Sequence, residues 1–410
     1  MNDSKQPQGT DALAGLLVLD FGQGVSAPHC ARLFADYGAD VIKIEPPHGD
    51  AARRSGPYPG DQPHPERSGL FFFHNTNKRS VTCDVSHPEG HALFMGLVRR
   101  ADVLIENNLP AQMRAWGIDY PTLAAINPSL VMISITPFGQ TGPYSEWHGQ
   151  DLNAYHLSGA SARYCGHPDE MPLEHGTFSA DYFGSVAAAA WGLAAVMGRD
   201  LVGGGQQVDV SCAEAIAAAF VGGQNIGGLA QDGRWDSRTG VGMPLGAPAT
   251  ILPCKDGHVW MLALEPGQWK GLCKVMGDPE WASLEMFNDM YTRAQNADLI
   301  YGLMSDWLMA HGKMEIMEKC QAAGCPVTAV FTIEEAARHR HLQARDYFVD
   351  IEHPELGRLH CLGAPFKLPA SPGGPRTPAP LLGEHNREVF EGLLGRTAAE
   401  LEHLGAIGAI

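Results

Sequence analysis

The chain has 410 residues, of which 44% are hydrophobic and 18% charged. This length exceeds that of one typical core and predicts a globular chain of two domains. The formal net charge of -17 argues against broad binding to nucleic acid or to an anionic membrane. The amino terminus lacks a secretory pattern, and the nine cysteines are scattered. Reduced thiols in a cytoplasmic protein without a metal site are therefore expected.

Short apolar segments alternate with helical ones through the first half of the chain. The strand-like segments are GLLVLDF, DVIKIE, SVTCDV, DVLIEN and LVMISITPFG, and the intervening helical segments include APHCARLFADYG and HALFMGLVRRA. Continuous apolar strands separated by helices are typical of a parallel sheet covered on both faces. The pattern predicts an α/β fold.

The residue pattern of the sequence changes after Gly203. A glycine-rich stretch at 221–248 is typical of a long connection. Strand-like HVWMLAL and helical QWKGLCKVMG then indicate a second compact region, and the prolines of GAPFKLPASPGGPRTPAP favour extended chain. We place the three parts at residues 1–225, 226–335 and 336–410.

A glycine turn follows the first predicted strand. Gly22, Gly24 and Ala27 form a G-x-G-x-x-A pattern between strand and helix, and Glu45 closes the next strand. This is the context of a dinucleotide site, which would make the protein a nicotinamide-dependent dehydrogenase. Pro28 removes a backbone donor from the helix start, and no hydride-transfer constellation follows. A tight turn that requires glycine explains the same residues.

One carboxylate, Asp181, stands at the head of the small and apolar segment SADYFGSVAAAAWGLAAV. A short acid in this place caps free helical N–H groups and complements the helix dipole. The same acid, held by backbone donors, is also a candidate nucleophile. The small residues behind it predict a core helix that packs closely against another backbone and keeps water away.

Seven segments, in this order, make the chain similar to the family III CoA-transferases, the group that includes formyl-CoA and carnitine CoA-transferases. The resemblance extends from about Leu16 to the carboxy terminus. It implies a Rossmann-like large domain with a parallel sheet, built from residues 1–225 and 336–410. It also implies a smaller α+β domain within 226–335 and a homodimer of interlocked rings. The segments are LLVLDFGQGVSAPHCARLFADYGADVIKIEPP, NTNKRSVTCDV, ADVLIEN, GQTGPYSEW, SADYFG, GGGQQVDVS and GAPFKLPASPGGPRTPAPLLGEH.

The resemblance implies that coenzyme A moves from an acyl-CoA donor to a small carboxylic acid through covalent intermediates on Asp181. The CoA thioester is then a substrate, and no tightly bound cofactor or metal is required. Intramolecular CoA transfer, which would make the enzyme an isomerase, uses the same aspartate and stays open. The CoA contacts implied by matching segments are Val25, Ser26, Asn75, Thr76, Asn77, Lys78, Asn107, Asn108, Arg114, Thr136, Phe138 and Gly139.

Several positions depart from the family pattern. Val25 replaces a glutamine of formyl-CoA transferases, and Asn108 replaces an aromatic residue. Thr136 and Pro46 stand where some relatives have lysine or arginine. Lys43 and Arg53 are candidates to supply the missing cations to the CoA phosphates.

The racemases of the same fold use a histidine in a GHD motif as base, whereas this chain has Gly149-Gln150-Asp151. His148 is expected to be a surface or packing residue, and His156 and His175 remain candidates for a base in an α-methylacyl-CoA racemase or epimerase. Gln150, His175 and Arg238 are expected to shape the acid pocket, with Arg238 pairing a second substrate carboxylate. The connection lacks the glycine run of formyl-CoA transferases, which argues against formate and oxalate.

Overall fold

The computed structural model describes residues 11–219, 227–233, 237–240 and 246–410. The chain divides into two compact units. The first contains Met1–Ala160, Glu174–Arg234 and Gln343–Ile410, and the second contains Ser161–Leu173 and Trp235–Leu342. Both chain ends thus belong to one unit. The limits predicted at residues 225 and 335 stay a prediction.

The described residues form eleven strands, numbered in chain order: β1 Leu17–Asp20, β2 Asp40–Glu45, β3 Lys78–Thr82, β4 Val103–Glu106, β5 Val131–Thr136, β6 Gln207–Ser211, β7 Ala249–Cys254, β8 Gly257–Leu262, β9 Val327–Ala329, β10 Phe348–His353 and β11 Gly357–Leu362. The α-helices are α1 Ser26–Asp36, α2 Gly69–Asn75, α3 Pro88–Val98, α4 Pro110–Ala115, α5 Tyr120–Ile126, α6 Asp151–Leu157, α7 Ala160–Tyr164, α8 Ser179–Met197, α9 Arg199–Val202, α10 Cys212–Ile216, α11 Gly227–Asp232, α12 Pro266–Val275, α13 Met290–Gln295, α14 Ala297–Ala310, α15 Lys313–Ala322, α16 Ile333–Ala337, α17 Arg340–Ala344, α18 Asn386–Leu394 and α19 Ala398–Ala406.

The first unit is built on a six-stranded sheet in the order β3-β2-β1-β4-β5-β6. Every neighbouring pair in it is parallel. The central strands are buried almost throughout, as Val18, Ile42 and Leu104 show. This is the doubly wound order, in which the carboxyl ends of the strands form the usual ligand-binding edge. The predicted α/β fold with a parallel sheet is confirmed.

Asn77 bonds the carboxy-terminal part of the chain to the end of α1 and the start of β3. The amide oxygen of Asn77 accepts hydrogen bonds from the backbone N–H groups of Arg376 (2.7 Å) and Thr377 (3.0 Å). Its amide nitrogen donates to Asp36 (2.7 Å) and to the carbonyl of Gly374 (3.0 Å). The proline-rich stretch between β11 and α18 contains neither helix nor strand, as predicted. This asparagine is therefore one of the side chains that anchor the returning chain.

The second unit has a small antiparallel sheet, β7-β8-β9, covered by helices. Val259, Met261 and Ile300 belong to its apolar core. The fully buried Arg293 donates to the backbone carbonyls of Ala247 (2.7 Å) and Leu264 (2.8 Å), so its charge is satisfied by the chain itself. The glycine-rich connection predicted at 221–248 lies partly outside the described residues.

Helix α8 packs one face against the sheet and its helices. Ala180, Gly184, Ala188 and Gly192 repeat every four residues on the buried face, which meets α1, α10 and β5. A Cβ atom on Gly192 would lie 2.2 Å from Cδ1 of Ile133, so the small residues permit a close approach, as predicted.

The opposite face of α8 is open, and the prediction of a buried core helix is wrong on this side. Trp191 is 68% exposed and Met197 is 77% exposed. The same helix is long and apolar enough to span a bilayer by length and composition, a test that packed helices of soluble proteins also pass. The repeat of small residues describes only the face that meets the sheet.

We predict that Gly192→Ala lowers the free energy of unfolding by about 1–3 kcal/mol, because the added methyl group overpacks against Ile133. Chemical denaturation followed by circular dichroism measures the effect. The matched control is Gly392→Ala in α18, where no atom lies within 4 Å of the added Cβ. There the higher helix propensity of alanine leaves stability unchanged or slightly raised. Equal stability of both variants would contradict the packing argument.

Candidate active site

The turn between β1 and α1 requires glycine for steric reasons. A Cβ on Gly22 would lie 2.2 Å from Cβ of Ala27 and 3.1 Å from the side-chain oxygen of Asn107, and Gly24 has a φ of +73°. Asn107 fixes the same turn, since its side chain exchanges hydrogen bonds with the backbone N–H (2.9 Å) and carbonyl (2.8 Å) of Gln23. The tight-turn explanation of the glycine pattern therefore holds.

A buried network of charges lies beneath this turn. Lys43 pairs with Asp50 at 2.8 Å, and Lys78 pairs with Asp20 at 2.8 Å, with all four side chains removed from water. Asp20 accepts the N–H of Gly22 (3.1 Å), and Asp50 accepts that of Gly24 (2.9 Å). Lys43 also donates to the carbonyl of Gly22. The ion pairs thus hold the backbone of the turn directly.

These surroundings shift the pKa values of the two lysines differently. Burial lowers the pKa of Lys78 to about 8, although Asp20 opposes the shift. Burial acts in the same direction on Lys43, but the charges of Asp20 and Asp50 outweigh it and raise its pKa above the usual value. Of the two lysines, Lys43 therefore keeps its positive charge to the higher pH.

Lys43 and Arg53 are the cations that the sequence suggests for the CoA phosphates, and the described structure places both elsewhere. Arg53 is 1% exposed, and it donates to Glu45 from Nε (2.7 Å) and Nη2 (2.8 Å) and to Glu66. Glu45 also accepts from the hydroxyl of Ser80 at 2.7 Å. The Glu45 carboxylate is therefore engaged within the protein.

The Asn75–Lys78 segment is also engaged internally. The Lys78 ammonium donates to the carbonyl of Pro28 (2.7 Å) and to the side chain of Asn75 (2.9 Å), besides its pair with Asp20. Thr76 is buried at the end of α2. In this arrangement none of these side chains presents a donor to a phosphate, and their assignment as CoA contacts stays a prediction.

Five further residues are predicted CoA contacts, namely Asn108, Arg114, Thr136, Phe138 and Gly139. Asn108 donates to the carbonyl of Phe21 (3.3 Å), and Thr136 is buried at the end of β5. Arg114 is half exposed and pairs with Glu146. Phe138 packs edge-on against Tyr144, and Gly139, with a φ of +86°, lies beside Asp209.

Asp181 faces a cavity of about 630 Å³ at the carboxyl edge of the sheet. Val25, Ser26 and Asn107 line one wall, and Gln150 and Asp151 line another. Three of the predicted CoA contacts thus meet the predicted nucleophile in one cavity. Among the residues that the structure describes, no group of three or more His, Cys, Asp or Glu side chains is placed to hold a metal ion.

Asp181 belongs to the first turn of α8 but does not cap the helix. The N-cap residue is Phe178, with a φ of 26°, and no side-chain cap bond is present there. The hydroxyl of Ser26 lies beside the Asp181 carboxylate and acts to lower its pKa, and the amide nitrogen of Asn107 donates to that hydroxyl at 3.1 Å. Asp181 is therefore not the N-cap residue, but it is an acid of the first turn, where it complements the helix dipole as predicted.

The pKa of Asp181 is raised to about 7, first by burial and then by the negative charge of Asp151, while the bond from Ser26 opposes the shift. The backbone N–H of Asp181 donates to Oδ1 of Asp151 at 3.0 Å. The sequence does not single out Asp151, although it is the acid of the GQD motif. Its partner lies thirty positions away, so only the fold reveals the pair.

The other pocket candidates have defined partners. Gln150 donates its backbone N–H to Asn153 (3.0 Å) at the start of α6. His175 bonds through Nδ1 to the hydroxyl of Tyr155 at 2.8 Å. In the second unit, Arg238 donates to the backbone carbonyls of His167 (3.2 Å) and Glu170 (2.8 Å). In this structure Arg238 bonds to the backbone of the segment 167–170, and its pairing with a substrate carboxylate stays a prediction.

The fold and the site together define the class of the protein. It is an α/β enzyme with a Rossmann-type sheet and a half-buried aspartate at the carboxyl edge of that sheet. The family model of CoA-transferase family III matches residues 13–386. The chain therefore belongs to CoA-transferase family III and is a CoA-transferase.

Curated relatives agree with this assignment over nearly full length. A succinyl-CoA–D-citramalate CoA-transferase of Chloroflexus aurantiacus is 32% identical over 408 residues, with 99% of each chain covered. A succinate–glutarate CoA-transferase of Agrobacterium fabrum is 31% identical, with 96% of this chain and 98% of the relative covered. The crystal structure of a CAIB/BAIF family protein from Brucella suis superposes with a TM-score of 0.83 at 28% identity, covering 94% of this chain and 100% of that one.

We predict that Lys43→Met lowers the free energy of unfolding by about 3–5 kcal/mol, because it leaves buried carboxylates without their cation. Urea denaturation measures the loss. Arg387→Met is the control, since Arg387 pairs only with Glu391 on the exposed surface of α18 and such pairs contribute little. Similar midpoints for the two variants would contradict the structural role of the network.

Proposed function

We propose that Asp181 is the covalent carrier in transfer of CoA from an acyl-CoA donor to a small carboxylic acid. The single observation that carries this proposal is the placement of its carboxylate. It lies in the cavity, at the edge where doubly wound sheets bind ligands, with Ser26 orienting it. The raised pKa makes it a stronger base, and hence a stronger nucleophile, than an exposed aspartate.

The reaction proceeds in balanced steps. The Asp181 carboxylate attacks the thioester carbonyl, a C–O bond forms, the C–S bond breaks, and the electron pair leaves on the CoA thiolate. The thiolate attacks the aspartyl carbonyl of the mixed anhydride, which releases the donor acid and gives an aspartyl thioester. The acceptor carboxylate repeats these two steps in reverse. Asp181 is regenerated, and no redox change occurs.

Residues of the glycine turn support the proposed thioester position. Val25 and Ser26 line the same cavity as Asp181, and the buried ion pairs below hold that backbone in place. A carbonyl placed between the turn and Asp181 would lie within reach of both. Rigid positioning of this kind is how enzymes turn a bimolecular attack into an effectively unimolecular one.

The names of relatives support a substrate class. Two of the relatives act, by name, between succinyl-CoA or succinate and a second acid, citramalate or glutarate. We therefore propose a short acyl-CoA such as succinyl-CoA as donor and a small carboxylic acid as acceptor. The nine scattered cysteines support a reducing cytoplasm as the location.

We predict that Asp181→Ala and Asp181→Asn fold like the parent but form no new thioester. Each variant is incubated with succinyl-CoA and a panel of mono- and dicarboxylic acids, and products are measured by mass spectrometry. Ser179→Ala, at the exposed hydrogen bond to the carbonyl of Thr177, is the control and keeps turnover. Undiminished transfer by Asp181→Ala would remove Asp181 from the mechanism.

An oxygen label tests the same mechanism directly. With an acceptor acid labelled by oxygen-18 in its carboxylate, each turnover leaves one labelled oxygen on Asp181, because the acceptor oxygen bridges the second anhydride. The peptide containing Asp181 gains about 2 Da after a single turnover of the parent enzyme and up to about 4 Da after many. A peptide without added mass, in an enzyme that turns over, would exclude the anhydride route.

We propose that the active form is a homodimer, and the open face of α8 supports this. Val186, Ala190 and Leu193 of α8 line an apolar groove of about 410 Å³ together with Phe366 and Leu368. Exposed apolar surface of this kind marks an interaction site. We predict twice the chain mass by light scattering, and a shift toward the monomer in Trp191→Glu, whose ring is exposed on the same helix. A parent that elutes as a monomer would contradict the dimer.

A further inference from the structure

Two carboxylates of different helices meet at the candidate active site. Asp151 begins α6 and Asp181 lies in the first turn of α8, and both line the cavity. A bond from the Asp181 backbone N–H to Oδ1 of Asp151 (3.0 Å) holds the Asp151 carboxylate against the backbone of Asp181. Helices α6 and α8 also pack against each other, so the pair is built into the scaffold.

We propose that Asp151 is a positioning residue that sets the reactivity of Asp181 through its negative charge. The proposal rests on the covalent role of Asp181 described above. The same Oδ1 atom holds the backbone of α8, so Asp151 serves two purposes: it places Asp181, and it destabilises the free carboxylate there relative to its uncharged, acylated form.

The other groups around Asp181 do not cancel this charge. From α1, Ser26 contributes a neutral hydrogen bond. From α10, Cys212 is a buried thiol whose pKa is raised by burial and by both aspartates, so it stays neutral. On α8 itself, burial raises the pKa of the Tyr182 phenol. Among the described residues, burial, the charge of Asp151 and the Ser26 hydroxyl set the pKa of Asp181.

The repulsion between Asp151 and Asp181 acts on the free enzyme but not on the acyl-enzyme. While Asp181 is a free carboxylate, the charge of Asp151 opposes it and makes it more basic. When the new C–O bond forms, the electron pair of the broken C–S bond leaves on sulfur, and Asp181 becomes a neutral acyl group. The repulsion between the two side chains is then relieved, which favours the acyl-enzyme over the free enzyme.

The experiment compares Asp151→Asn with the parent. Asparagine keeps an oxygen that accepts the N–H of Asp181 but removes the charge. Since the attacking form is the carboxylate, the parent's kcat/KM rises with pH through about 7. In Asp151→Asn this acid limb shifts to lower pH by on the order of one unit. The plateau kcat falls, because the carboxylate is less basic, while KM for the acyl-CoA changes little.

Two further variants separate charge from structure. Asp151→Glu retains the charge and restores an acid limb near that of the parent. Asp84→Asn is the matched control, because Asp84 also accepts one backbone N–H, from Ser86 at 2.9 Å, and does not line the cavity; its profile equals that of the parent.

An acid limb in Asp151→Asn identical to the parent's, with unchanged kcat, would overturn the inference and leave Asp151 only a structural acceptor. That outcome is distinguishable from failure of the proposed function. If Asp181→Ala is inactive and Asp181 acquires the oxygen label, the covalent route stands without the charge effect. If Asp181→Ala remains active, both proposals fail together.

Discussion

The buried ion pairs beneath the glycine turn are the constraint on which the site depends. Asp20, Lys43, Asp50 and Lys78 are removed from water, and each aspartate also accepts a backbone N–H from the turn. A buried charge that loses its partner is costly. The turn therefore cannot move without separating ion pairs, and Ser26, which follows it, is held in place for the Asp181 carboxylate.

Helix α8 approaches the same point from the other side. Its small residues permit contact with β5 and α10, since a Cβ atom on Gly184 would lie only 2.5 Å from Sγ of Cys212. Larger side chains on this face would push Asp181 away from Ser26. Close packing of α8 therefore positions Asp181, and the buried ion pairs of the turn position Ser26. The geometry of the cavity follows from both constraints.

The buried Asp50 and the half-buried Asp181 show how neighbouring groups set the pKa of a carboxylate. Burial acts to raise the pKa of both Asp50 and Asp181, but Lys43 and the N–H donors of the turn bring the pKa of Asp50 below its usual value. Asp181 faces Asp151 instead, and its pKa rises to about 7. The buried cations are engaged in holding the scaffold, while the cavity retains a carboxylate that is a strong base. One aspartate thus stabilises the turn, and the other provides the reactive carboxylate of the cavity.

Much of the fold was predictable because its signals are local. Alternating apolar strands and helices predicted the parallel sheet, the glycines predicted the turn, and the SADYFG segment indicated Asp181. Lys43, Arg53 and Lys78 stay predicted candidates for the CoA phosphates, but the sequence did not reveal their partners within the protein, because it shows a charge and not its position in space. Their partners, among them Asp20, 58 positions from Lys78, and the carbonyl of Pro380, 327 positions from Arg53, are set by tertiary packing. The pairing of Asp151 with Asp181 was likewise decided only when α6 and α8 packed together, because electrostatic interaction depends on distance in space and not on separation along the chain.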